Sequence, residues 1–168
     1  MDLEQVRSAI LGNIEQHGWH IAGVNEDTRN GFPQYAYTVG FGDTLNHPEV
    51  IVIGLSHESA GMLLNAVGER IRQHGALETD TRYTDLLSNG LGLSFVEAAE
   101  ERARDLMRLA NWYYEAASHQ SGTRYRVLQL IWPDSEGRLP WEPGYDTRFN
   151  DLQPVLQDVQ QPPTSSLH

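Results

Sequence analysis

Val50-Ile51-Val52-Ile53-Gly54 (VIVIG) is the pivot of the chain. Four β-branched residues in succession, with no polar alternation, have the composition of a central strand covered on both faces. Just before it, Tyr35–Phe41 (YAYTVGF) reads as a second strand, joined to the first by the loop Gly42–Pro48. Here the residues alternate: Tyr35, Tyr37, Val39 and Phe41 share one face, and Ala36, Thr38 and Gly40 share the other. The small-residue face admits either a close-packed helix or the floor of a ligand site. Trp19–Val24 is a third short apolar run, and the turn-rich Asn25–Pro33, with Asn30-Gly31 at its centre, makes the pair an antiparallel hairpin.

Helical spacing brackets these strands. Asp2 is an N-cap before Leu3, Val6, Ile10 and Ile14, and His17-Gly18 ends that helix. Ser56 caps a second helix with the stripe Ala60, Leu63, Leu64, Val67 and Ile71, closed at Gly75. Ala76–Asn89 is polar, with room for an edge strand near Arg82-Tyr83. Leu91–Val96 reads as a strand, although Ser94 and Glu97 also form a capping box. A third helix is expected from about Ala98 to about Ser118, and Arg124–Trp132 (RYRVLQLIW) as a strong strand after Gly122. Leu152–Val159 is expected to add an edge strand or to lie across the surface, and residues 160–168 read as a tail. These elements predict one α+β domain over residues 1–159. Its sheet is mostly antiparallel or mixed, of about five to seven strands, with three main helices covering one face.

Composition narrows the chemistry. The chain has 168 residues, no cysteine, and twelve basic residues that are all arginine. Thiolate nucleophiles, thiolate metal sites, disulfides and Schiff-base lysines are therefore excluded. A formal charge of -11 argues against nucleic acid as a partner, because phosphate binding needs a basic surface. It favours a basic protein partner, steered in from a distance. Mimicry of nucleic acid would require a long acidic run, which the sequence lacks. With no apolar run near the roughly 20 residues that span a bilayer, and no signal-peptide profile at the start, membrane association is not expected and cytoplasm is the expected compartment.

No nucleophile elbow, zincin helix or phosphate loop is present. The best acid–base or metal candidates flank the central strand, with His47-Pro48-Glu49 before it and Ser56-His57-Glu58 after it. A five-residue strand separates its ends by about 17 Å at ~3.3 Å per residue, so one ion cannot take ligands from both groups without a sharp fold. Gln129 lies among apolar neighbours on the Arg124–Trp132 strand, and its amide needs partners, either loop backbone or a polar ligand. Beyond that strand, Trp132-Pro133-Asp134 and Leu139-Pro140-Trp141-Glu142-Pro143 hold two indoles and two carboxylates in proline-stiffened backbone. Such a segment is equally the composition of a recognition surface and of a lid packed on the core.

Several stretches together resemble the bacterial family described as domain of unknown function 4262. They are HGWHIAGV (His17–Val24), FPQYAYTVGF (Phe32–Phe41), HPEVIVIGL (His47–Leu55), LLNAVGERI (Leu63–Ile71), VLQLIWPDSEGRLPWEPGY (Val127–Tyr145) and the Gln153-Pro154 pair. The polar segment Glu78–Gly92 departs most from the family pattern. The resemblance implies no established activity and carries over no catalytic residue. It implies that Tyr37, Thr38, Gly40, His47, Pro48, Glu49, Gln129, Trp132, Asp134, Trp141 and Glu142 occupy motif positions.

The expectation is a non-catalytic binding module that uses Tyr37, Thr38, Gln129, Trp132 and Trp141 toward a basic protein or a small polar ligand, with no metal or cofactor. The alternative is a small hydrolase-like or metal-assisted enzyme, in which His47 and Glu49 act with Asp134, Glu142 or Gln129. Both require the His47 segment and the Trp141 loop to face a common space.

Overall fold

The computed structural model describes residues 2–120 and 125–157; Arg124 and the tail 160–168 lie outside the described residues. Helix α1 (Leu3–His17) opens with a complete capping box between Asp2 and Gln5 and closes at Gly18 in the left-handed region. Strand β1 (His20–Val24) and strand β2 (Tyr35–Val39) form the expected hairpin. Strand β3 (Glu49–Ile53) pairs antiparallel with β2. Helix α3 (His57–His74) follows, with Ser56 accepting from the Ser59 amide at 3.1 Å. The segment after it yields an isolated bridge between Tyr83 and Leu93 where an edge strand was expected. Strand β4 (Ser94–Glu97) and strand β5 (Val127–Ile131) complete a mixed five-stranded sheet of order β1-β2-β3-β5-β4.

Helices cover both faces of this sheet, which corrects the expectation of one covered face. Val50, Val52, Leu128 and Leu130 pack with Leu64, Val67 and Ile71 of α3. Ile51, Ile53, Tyr35 and Tyr37 pack with Ile10 of α1 and with Met107 and Ala110 of the later helices. Val50 and Val52 serve one face of β3 and Ile51 and Ile53 the other, and each buried Val or Ile contributes about 1.5–3 kcal/mol only if a helix excludes water from its side. All five β3 residues are buried.

The expected long third helix is broken. It forms α4 (Glu100–Leu106), α5 (Arg108–Trp112) and a π-helical turn (Tyr113–Ala117), with Met107 non-helical at φ -108°, ψ 58°. Tertiary partners take the backbone groups released at the break. Tyr35 donates its hydroxyl to the Leu106 carbonyl at 2.7 Å, and Tyr37 accepts from the Leu109 amide at 3.1 Å. The Asn111 side chain donates its Nδ2 to the Arg104 carbonyl at 2.8 Å. Those bonds give the Leu106 and Arg104 carbonyls and the Leu109 amide the partners that a continuous helix would have supplied.

Between β2 and β3, where a loop was expected, sits a single helical turn, α2 (Phe41–Leu45). After β5 a 3-10 turn (Thr147–Phe149) leads into a segment that forms no strand up to Gln157. That segment is bound by side chains. Gln129 accepts from the Leu156 amide at 2.7 Å and donates to the Pro154 carbonyl at 2.8 Å. Gln153 accepts from the Trp132 amide at 2.8 Å and donates to the Trp132 carbonyl at 3.0 Å.

Candidate functional site

Direction within the sheet sorts the candidate residues. Strands β3 and β5 run parallel, with Glu49 opposite Val127 and Val52 opposite Leu130. His47 and Glu49 therefore stand at the N-terminal end of this pair, while Trp132, Asp134, Trp141 and Glu142 follow its C-terminal end. A five-residue strand keeps the two groups about 17 Å apart at ~3.3 Å per residue. The common space that both expectations required does not form.

At the N-terminal end, Glu49 is fully buried. Its carboxylate accepts from the Thr38 hydroxyl at 2.6 Å, the Gly40 amide at 2.8 Å, the Phe41 amide at 3.2 Å and the Tyr114 hydroxyl. The hydroxyl protons are aimed by further bonds. Thr38 Oγ1 accepts from the Val50 amide at 2.9 Å, and the Tyr114 oxygen accepts from the Gly42 amide at 2.9 Å. Gly40 sits at φ 115° and has no side chain to cap α2, so Glu49 supplies that cap from the next strand. Burial raises the Glu49 carboxyl to about 7, and the four donors only partly offset it.

His47 is committed to backbone. Its Nδ1 lies 2.7 Å from the Pro48 carbonyl, and Leu77 donates its amide to Nε2 at 3.1 Å. Those two partners fix a neutral tautomer with the proton on Nδ1, and burial lowers the pKa of the ring. Gly42, His47, Tyr114 and Arg126 line a shallow pocket of about 200 Å³ beside this cluster. Among the described residues no three His, Asp or Glu side chains converge to hold a metal ion. Tyr114 was missed by sequence reasoning, because position 114 lies off the apolar stripe of the expected helix. It lies in the π-helical turn, from which its hydroxyl reaches Glu49.

At the C-terminal end, Trp132 is buried, donates its indole N–H to the Ile53 carbonyl at 2.8 Å and packs edge-on against Phe149. Asp134 organises the loop that follows. It accepts from the amides of Glu136 at 3.0 Å, Arg138 at 2.8 Å and Asp146 at 2.9 Å. Burial alone would raise its pKa, but the amide bonds outweigh that and hold it below the usual range. Glu142 accepts from the Leu139 amide at 2.7 Å and pairs with Arg82, which also donates to the Gly137 carbonyl at 3.0 Å. The Arg82 hydrogen bond is the main reason the Glu142 pKa is lowered. Trp141 projects from this loop and is 54% exposed.

The remaining candidates have interior partners. Tyr37 is bound to α5, Thr38 to Glu49 and Gln129 to the 154–156 segment.

Comparison with curated proteins returned no match, and neither did comparison with solved structures. A family model does match, across residues 13–146, and it takes in β1 to β5 and the Trp141 loop. The chain belongs to the family described as domain of unknown function (DUF4262).

Proposed function

We propose that this protein is a non-catalytic binding module for a basic protein partner, and that Trp141 anchors the contact. The observation that carries the reading is an exposed indole on a loop whose polar groups are tied down. Asp134 takes three loop amides, Glu142 takes one, and Arg82 braces the loop from outside. An aromatic anchor on a preorganised loop loses little side-chain freedom on binding, and tryptophan is enriched among residues that dominate interfaces. The charge of -11 supports a basic partner over a small polar ligand. No described helix is long and apolar enough to cross a membrane, and we place the protein in the cytoplasm.

The enzymatic alternative receives less support. A general base needs a lone pair that faces substrate, and both His47 nitrogens face backbone. Glu49 is enclosed by its four donors, at the opposite end of β3 from Asp134 and Glu142.

A photoreactive aromatic residue placed at position 141 in host cells tests the proposal. The expected result is a discrete protein adduct that excess wild-type protein suppresses and Trp141→Ala protein does not. Adducts no different from those of the same probe at exposed Met62 would overturn it.

A further inference from the structure

The loop joining β1 to β2 and the segment 148–152 face each other across a recess of about 620 Å³. It opens at the same end of the sheet as Trp141, because Tyr35 lies opposite Ile53 in the β2–β3 register. Phe32, Pro33 and Leu152 give it an apolar lining, and Leu152 is 40% exposed.

Both walls are preformed. On one side, Asp27 and Phe32 exchange backbone hydrogen bonds at 2.8 and 3.0 Å, and the Asp27 carboxylate accepts from the Arg29 and Asn30 amides. Gly31 takes φ 68° to close that loop. On the other side, Leu152 is pressed onto the end of β3. A Cβ at Gly54 would lie 2.3 Å from the Leu152 carbonyl oxygen, and Gln153 is fastened to Trp132 immediately after it.

The charges around the apolar lining are unbalanced. Glu26, Asp27 and Asp151 line the recess. Its one lining arginine, Arg148, is engaged by Asp146 through a 2.7 Å ion pair. Among the described residues, no side chain pairs with Glu26 or Asp151. An apolar trough rimmed by uncompensated carboxylates matches a side chain with an aliphatic stem and a cationic head.

We propose that this recess receives an apolar, arginine- or lysine-bearing peptide segment of the protein partner. Its aliphatic stems lie on Phe32, Pro33 and Leu152, and its cationic heads meet Glu26 and Asp151. The inference rests on the binding reading above and gives that partner a second, chemically defined contact.

The test uses the full chain, ¹⁵N-labelled, titrated with Ac-Arg-Leu-Leu-Arg-NH₂ and followed by amide shifts. Two further peptides, Ac-Glu-Leu-Leu-Glu-NH₂ and Ac-Arg-Ser-Ser-Arg-NH₂, separate charge from apolar contact. The expected result is saturable shifts confined to residues 26–34 and 148–152, weaker for the serine peptide and lost for the acidic one. The Glu26→Gln/Asp151→Asn double variant, with unchanged folding, should bind the arginine peptide roughly tenfold more weakly. Three results would each overturn the inference: equal binding of the acidic peptide, shifts spread over the whole acidic surface, or no shift at millimolar peptide. The two proposals fail separately. A silent recess beside a genuine adduct at position 141 removes this site and leaves the binding reading intact, whereas recess binding without an adduct removes Trp141 as the anchor.

Discussion

Replacing Glu49 by glutamine tests whether a buried carboxyl holds the β2–α2 corner. Its pKa is raised by burial from an ordinary 4.5 to about 7. A raised carboxyl means the folded state keeps a proton that the unfolded chain releases. The contribution is fully present below pH 4.5 and is lost as pH rises through about 7. A displacement of that size corresponds to about 3 kcal/mol. Glutamine cannot titrate, and its NH₂ must face at least one of the donors that Glu49 accepts, such as the Gly40 amide. Leaving one buried donor without an acceptor costs roughly 1–3 kcal/mol. The wild type should therefore exceed Glu49→Gln by roughly that amount at pH 4.5. The advantage should fall by about 3 kcal/mol by pH 8, reaching zero or reversing. Urea unfolding of both proteins at several pH values measures it. The difference between them is the relevant quantity, because His20 and His47, both lowered by burial, bias each protein in the opposite direction across the acid range. A pH-independent difference would refute the assignment of a titrating carboxyl at this corner.

Other predictions probe the packing and the loop. Gln129→Leu should lose roughly 1–3 kcal/mol, because the Leu156 amide is left without an acceptor, and hydrogen exchange at Leu156 should accelerate. Tyr37→Phe should cost a similar amount by orphaning the Leu109 amide, with faster exchange centred on Leu109. Gly68→Ala should destabilise by about 1–3 kcal/mol, since its Cβ would lie 2.5 Å from Trp19 Cζ2, and thermal unfolding would reveal it. Trp141→Ala should change stability by less than about 0.5 kcal/mol in the same assay, which separates the proposed binding role from a structural one.

The elements were legible wherever one periodicity dominated. The α1 and α3 caps, the β1–β2 hairpin and the β-branched run of β3 were all recoverable from spacing and composition. The broken third helix was not, because its interruption depends on hydroxyls of Tyr35 and Tyr37, some 70 residues earlier in the chain. Glu49 was singled out, but as a candidate acid–base or metal group. It caps α2 through the Gly40 and Phe41 amides and also takes the hydroxyl of Tyr114, which lies in a π-helical turn the sequence did not signal. Gln129 was recognised as a buried amide in need of partners, and loop backbone supplies them.

Local order along the chain settled which residues are apolar, which turns can form and which chemistries are missing for want of cysteine and lysine. Alternation along a strand tells which faces are buried, and in β3 it indicated both. It carries no information about the direction of the neighbouring strand. That direction was decided by the path through α3, β4 and the broken helix, which returns β5 parallel to β3. For that reason the histidine-proline-glutamate motif and the tryptophan loop, both visible in the sequence, ended at opposite ends of one sheet, and only the tertiary structure separated a buried carboxyl corner from an exposed indole.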